Sequence, residues 1–144
     1  MSESSLDLAV IGNGRTAALV NPYARIVWWC FPRFDSDPVF SRLLAGDEEK
    51  GFTEVLLDRM VKTESHYVRN TAVVATTLTA EDGAAIRVTD FAPRFKNFGR
   101  ITRPPQLVRI VEPVAGMPRI TLRMRPTSDY GGAIDRQSLG SNHI

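Results

Sequence analysis

The residue types able to do chemistry in this chain are scattered. Carboxylates are plentiful, 16 Asp and Glu against 18 Lys and Arg, but acid–base hydrolysis needs two of them facing each other across a substrate, and spacing alone does not supply that pairing. The histidines, His66 and His143, stand apart from each other and from any cysteine, and His66 lies in an alternating run that predicts a surface strand. No Ser-His-Asp arrangement, HExxH helix or paired Cys/His spacing occurs. The single cysteine, Cys30, excludes an intrachain disulfide and a cysteine-based zinc site. The residues therefore predict no catalytic group, no metal and no cofactor within this chain.

One motif argues the other way. Gly12-Asn13-Gly14-Arg15-Thr16-Ala17 satisfies G-x-G-x-x-G/A directly after an apolar run, and Asp35 follows where a ribose-binding acid would stand. A dinucleotide site also needs a helix whose N-terminus receives the pyrophosphate. Only residues 18–21 remain before Pro22, which does not sit in a helix interior. A glycine-rich hairpin turn is the expectation, and a nicotinamide-dependent oxidoreductase is rejected.

Two aromatic segments are candidates for binding. Trp28-Trp29-Cys30-Phe31-Pro32-Arg33-Phe34-Asp35 is the densest aromatic cluster. On a strand, Trp28 and Cys30 share one face and Trp29 and Phe31 the other, so the strand is apolar on both sides and belongs inside a sandwich or beneath a partner domain. Core packing is its plain role; stacking against sugar rings is the functional one. Arg33 with Asp35 or Asp37 offers groups to orient a ligand hydroxyl, against the plainer role of a loop-fixing ion pair. The sugar-binding candidates are Trp28, Trp29, Arg33 and Asp35. Further on, Arg94, Lys96, Arg100 and Arg103 interleave with Phe95 and Phe98, a spacing that suits single-stranded nucleic acid. That run ends in Arg103-Pro104-Pro105, an extended connection between strands, and an inter-sheet or inter-domain loop is preferred to nucleic-acid binding.

The elements that must hold these residues read as strands. At 144 residues and 43% hydrophobic, the chain has the size of one domain and can bury about 70% of its unfolded surface without staples. A formal charge of +2 is too small to argue for nucleic acid. Fifteen of the 18 basic residues are arginines, the cation suited to planar, partly buried ion pairs and docking faces. No basic leader, apolar leader core or membrane-length apolar run is present, so a cytoplasmic protein without a membrane role is expected. Alternating runs at 6–11, 16–20, 26–31, 52–57, 61–68, 72–79, 85–91, 107–111 and 120–124 are separated by turn residues. Such spacing predicts an antiparallel sandwich or barrel. Runs 72–79 and 85–91 predict a hairpin around Asp82-Gly83. Runs 107–111 and 120–124 predict a second, whose last strand sets Ile120, Leu122 and Met124 against an exposed arginine face. A short helix is expected near 38–45, capped by the Asp35–Pro38 turn, with Phe40, Leu43 and Leu44 inward. The tail from Gly131 onward reads like a strand or loop cut mid-course.

Taken together, residues 11–20, residues 26–40 with their Trp-x-Cys-x-Pro-Arg-Phe-Asp-Ser block, Leu43-Leu44, Tyr67-Val68-Arg69-Asn70-Thr71, Val88-Thr89-Asp90-Phe91-Ala92-Pro93, residues 105–111 and Arg125-Pro126 with Asp129-Tyr130-Gly131 resemble the amino-terminal domain of bacterial glycoside hydrolase family 15 proteins, glucoamylase-like and trehalase-like. The resemblance implies a truncated β-sandwich of supersandwich type over residues 1–144, preceding an (α/α)6 barrel that is absent here. It implies that glutamates of that barrel hydrolyse an α-glucosidic bond with inversion, and that the carboxy-terminal catalytic domain is this chain's partner. A stand-alone carbohydrate-binding module is the alternative. Unpaired edges predict self-association of the isolated chain.

Overall fold

The structure, a computed structural model, describes residues 6–46, 49–134 and 136–142. His143 and the last residue of the tail lie outside them. Twelve strands follow in order: β1 (Ala9–Gly12), β2 (Ala17–Val20), β3 (Ile26–Cys30), β4 (Pro38–Phe40), β5 (Phe52–Leu57), β6 (Met60–Tyr67), β7 (Val74–Ala80), β8 (Ala85–Phe91), β9 (Phe95–Asn97), β10 (Arg100–Thr102), β11 (Val108–Ala115) and β12 (Ile120–Arg125). One antiparallel sheet runs β1-β2-β3-β5-β12, with β4 also against β3; a second runs β11-β8-β7-β6, and β9 and β10 form a separate ribbon.

Two apolar clusters join the sheets. In one, Val55 and Leu57 of β5 meet Leu78 and Ala80 of β7 and Ile86 and Val88 of β8. In the other, Ile11, Ala18, Val20, Ile26 and Phe40 of the larger sheet meet Val74 of the smaller. Period-two side-chain alternation explains both, since residues 74, 76, 78 and 80 share one face of β7 and all are buried. The expected antiparallel sandwich is therefore the architecture, and it is not closed into a barrel.

Local expectations fare unevenly. The hairpin at Asp82-Gly83 forms, with Val74 opposite Asp90 and Thr79 opposite Ala85. The helix expected near 38–45 contracts to a single 3₁₀ turn at Arg42–Leu44, because Pro38–Phe40 pairs with β3 instead. Phe40 is buried as expected, whereas Leu43 and Leu44 are 40% and 63% exposed. The basic segment expected as a plain loop folds its middle into the β9–β10 ribbon, turning at Phe98-Gly99.

The second expected hairpin does not form. β11 pairs with β8, while β12 crosses to the other sheet and pairs with β5. The apolar side of β12 keeps the face of Val55 and Leu57 but is left uncovered: Ile120, Leu122 and Met124 are 41%, 67% and 59% exposed, and on the other face Arg123 turns toward Glu54. Sequence alternation identified the two faces of this strand, but which one is covered depends on what lies opposite.

Two buried carboxylates are held by arginines. Asp90, fully buried, accepts from Arg109 Nε at 2.6 Å and Nη2 at 2.9 Å, and Arg109 Nη1 donates across to the Thr53 carbonyl at 3.3 Å. Glu54, 3% exposed, accepts from Arg25 Nε and Arg123 Nε, both at 2.5 Å, while both guanidinium groups lie over the Phe52 ring at 4.6 and 5.2 Å. Removing one partner of such a pair leaves a buried charge unmatched, which costs about 3–5 kcal/mol. Asp90→Ala is expected to lose about that much in urea unfolding, whereas Glu64→Ala, which breaks the exposed pair with Lys62, loses under about 1 kcal/mol. Equal losses would refute the assignment of Asp90 as the structural anchor.

Candidate functional site

Register brings three loops to one end of the sandwich. Gly12 lies opposite Ala17, Ala18 opposite Trp29, and Trp29 opposite Phe40, so the β1–β2 turn and the 31–37 loop adjoin. Asn13 then ties in the basic segment. Its Oδ1 accepts from the Arg15 and Thr16 backbone N–H groups, and its Nδ2 donates to the Pro93 and Pro104 carbonyls at 2.9 and 2.8 Å.

That use accounts for the glycine motif. Gly14 has a φ of +84°, and a Cβ on Gly12 would stand 2.9 Å from the Thr16 carbonyl oxygen, so both positions favour glycine for a tight turn. The next element is β2, paired antiparallel with β1, where a dinucleotide fold requires a helix. The rejection of a nicotinamide site thus has a structural reason in the turn itself.

The four candidate sugar-binding residues divide. Trp29 is half-buried; its ring packs 5.2 Å from Phe31 and 5.9 Å from Phe40, and its Nε1 donates to Thr16 Oγ1 at 2.8 Å. Its polar edge is spent inside the fold. Trp28 is half-buried on the opposite face, the face it shares with Cys30; burial is the leading cause that raises the Cys30 thiol pKa, which disfavours a reactive thiolate. Arg33 and Asp35 point out, 70% and 68% exposed, and form a two-point pair with Nε to Oδ1 at 2.9 Å and Nη2 to Oδ2 at 2.5 Å. The hydrogen bond from Arg33 holds the Asp35 carboxyl below its ordinary value, and the same bond raises the guanidinium pKa. Around them Phe31 and Phe34 are 42% and 59% exposed, and on the ribbon Phe98 is 98% exposed.

This end of the molecule carries aromatic rings and a fixed ion pair, chemistry suited to a sugar or to a polar domain interface. Sequence reasoning singled out Trp28, Trp29, Arg33 and Asp35, but not Asn13 as the residue that gathers the loops; an Asn between two glycines is a turn signal, and its long-range partners have no local signature. Among the described residues, no group of three or more His, Cys, Asp or Glu side chains is placed to hold a metal ion. His66 is an exposed residue of β6 opposite Ala75.

Fold and site together define an antiparallel β-sandwich with an aromatic, basic loop end. The chain belongs to the family described as "Trehalase-like, N-terminal", whose profile matches residues 4–140. It is 36% identical over 126 residues to a protein named Trehalase from Thermoplasma volcanium, covering 84% of this chain and 19% of that protein. Trehalase 1 of Sulfolobus acidocaldarius is 38% identical over 86 residues, 60% of this chain and 15% of the relative. Trehalase of Thermoplasma acidophilum is 32% identical over 108 residues, 73% and 18% respectively. The chain thus spans less than a fifth of the length of these relatives. No solved structure matches it significantly.

Two outcomes test this site. Asn13→Ala removes the bonds that tie the β1–β2 turn to the basic segment and leaves the part-buried Pro93 and Pro104 carbonyls without them; it is expected to cost about 1–3 kcal/mol in chemical unfolding, and a loss under about 0.5 kcal/mol would show the loops are held otherwise. In an NMR titration the Asp35 carboxyl is expected to show a midpoint below the ordinary 3.8. The Arg33→Ala variant moves that midpoint up. The sign follows from linkage: with the folded value depressed, the pair's contribution is present above the unfolded value and lost as pH falls through the folded one. An unmoved midpoint would show that the pair does not persist in solution.

Proposed function

We propose that this chain is the non-catalytic amino-terminal β-sandwich of a trehalase-like glycoside hydrolase of the family 15 type, and that the α-glucosidic bond is cleaved by a carboxy-terminal catalytic domain on which this sandwich packs. The observation that carries this reading is the family match across 4–140 combined with coverage of only 19% of a relative named trehalase. The two buried carboxylates described above add support, because arginines already occupy the oxygens of Glu54 and Asp90. Hydrolysis by paired carboxylates needs one of them free to give a proton and the other free to activate water or attack carbon.

A second reading, a carbohydrate-binding module in its own right, is favoured by the outward Arg33–Asp35 pair beside exposed Phe31 and Phe34. In it Trp28, Trp29, Arg33 and Asp35 contact sugar. In the first reading the same loops meet the catalytic domain at the rim of its substrate opening. No helix among the described residues is long and apolar enough to cross a membrane.

One pair of measurements separates these readings. The 144-residue chain is expected to release no glucose from trehalose or maltooligosaccharides, and measurable hydrolysis would overturn the non-catalytic reading. Calorimetric titration with trehalose, glucose and maltooligosaccharides is expected to show no saturable heat; binding that disappears in Arg33→Ala with folding intact would establish the second reading.

A further inference from the structure

We propose that β12 is a self-complementary edge through which two copies of this chain join, extending the larger sheet across a two-fold axis. β12 lies at the end of that sheet and pairs only with β5 among the described strands. The Asp58 N–H donates to the Arg119 carbonyl at 3.0 Å, which sets the odd-numbered residues of this ladder as those bonded to β5. Ile120, Leu122 and Met124 therefore direct their own N–H and C=O groups to the free edge. The same three residues carry the exposed apolar stripe. They lie on the face of Val55 and Leu57, opposite which Leu122 and Ile120 stand in register. Those two β5 residues are covered by the second sheet; the stripe overhangs it.

The occupant follows from the strand's own sequence. With β12 antiparallel to itself and the axis at Leu122, Leu122 faces its equivalent and Ile120 faces Met124, so all three apolar residues meet apolar residues and all use their free backbone groups. Pro118 and Pro126 bracket the strand. Sliding by two residues in either direction sets a proline opposite a residue of the stripe, and proline has no N–H to give. On the other face Thr121 meets Arg123, whose charge is already matched by Glu54 and Glu49. Arg125 and Arg119 meet at the two ends, an exposed like-charge contact that salt screens. No lysine or proline interrupts the strand, and of its two charges Arg123 is drawn to Glu54 and Arg125 stands at the end, so neither lies on the apolar stripe. The inference does not depend on which glucoside, if any, the longer protein cleaves.

Sedimentation velocity from about 1 to 300 µM covers the range where so small an interface associates. A monomer–dimer equilibrium strengthened by added salt is expected, and a monomer throughout would overturn the proposal and leave the edge to a strand from another polypeptide. Leu122→Lys is expected to abolish the dimer while keeping the wild-type urea midpoint, since the side chain is 67% exposed; a dimer that persists refutes the assigned edge. In a Cys30→Ser background, Leu122→Cys is expected to oxidise to a covalent dimer several times faster than Thr121→Cys. Equal rates, or the reverse order, would refute the register even if a dimer forms.

Discussion

The thin apolar layer between β5 and the β7–β8 pair is the interaction on which the rest of this molecule depends. Val55 and Leu57 supply one side, Leu78, Ile86 and Val88 the other. Each such side chain contributes about 1.5–3 kcal/mol when removed from water, and no helix among the described residues covers either sheet to supplement it. β5 is also the strand that carries the buried Glu54 and holds β12 in place. A change at β5 therefore reaches the ion pairs, the edge strand and the core together.

Charged groups in this sandwich fall into two kinds. Asp90 and Glu54 are removed from water and matched by arginines in the same step, so they restrict which strand pairings are tolerable; a shifted register would bury one without its partner. Arg33–Asp35 and Arg59–Asp82 stand in solvent and add little to stability. Three of the fifteen arginines, Arg25, Arg109 and Arg123, serve the first kind. A planar guanidinium can hold a carboxylate at two points and lie over Phe52 at once, which a lysine ammonium cannot.

The same geometry divides the surface between two uses. One end gathers three loops, two of them tied through Asn13 and the third set beside them by strand register, and presents rings and an outward ion pair, whereas the β12 edge presents backbone groups and an apolar stripe. Loops at a strand end offer varied side-chain chemistry with little regular backbone to share, which suits a ligand or a neighbouring domain. An edge strand offers backbone hydrogen bonds first and side chains second, which suits another strand.

Local chemistry was enough to read strand positions, the Asp82-Gly83 hairpin, the glycine turn and the alternating faces of Ile120–Arg125, because turn residues and period-two patterns act over a few residues. Even the choice of Trp28, Trp29, Arg33 and Asp35 came from composition within one segment. What only the tertiary structure decided is which strand lies beside which and which face is covered. β12 could as well have closed a hairpin with β11, and its apolar side would then read as core; pairing with β5 at the overhanging edge leaves it in solvent. Pro38–Phe40 likewise carries a helix-start signal that the free side of β3 overrides. Strand partnership is a long-range property, settled by burial and by the matching of Asp90 and Glu54 to distant arginines, and no window of sequence contains both partners.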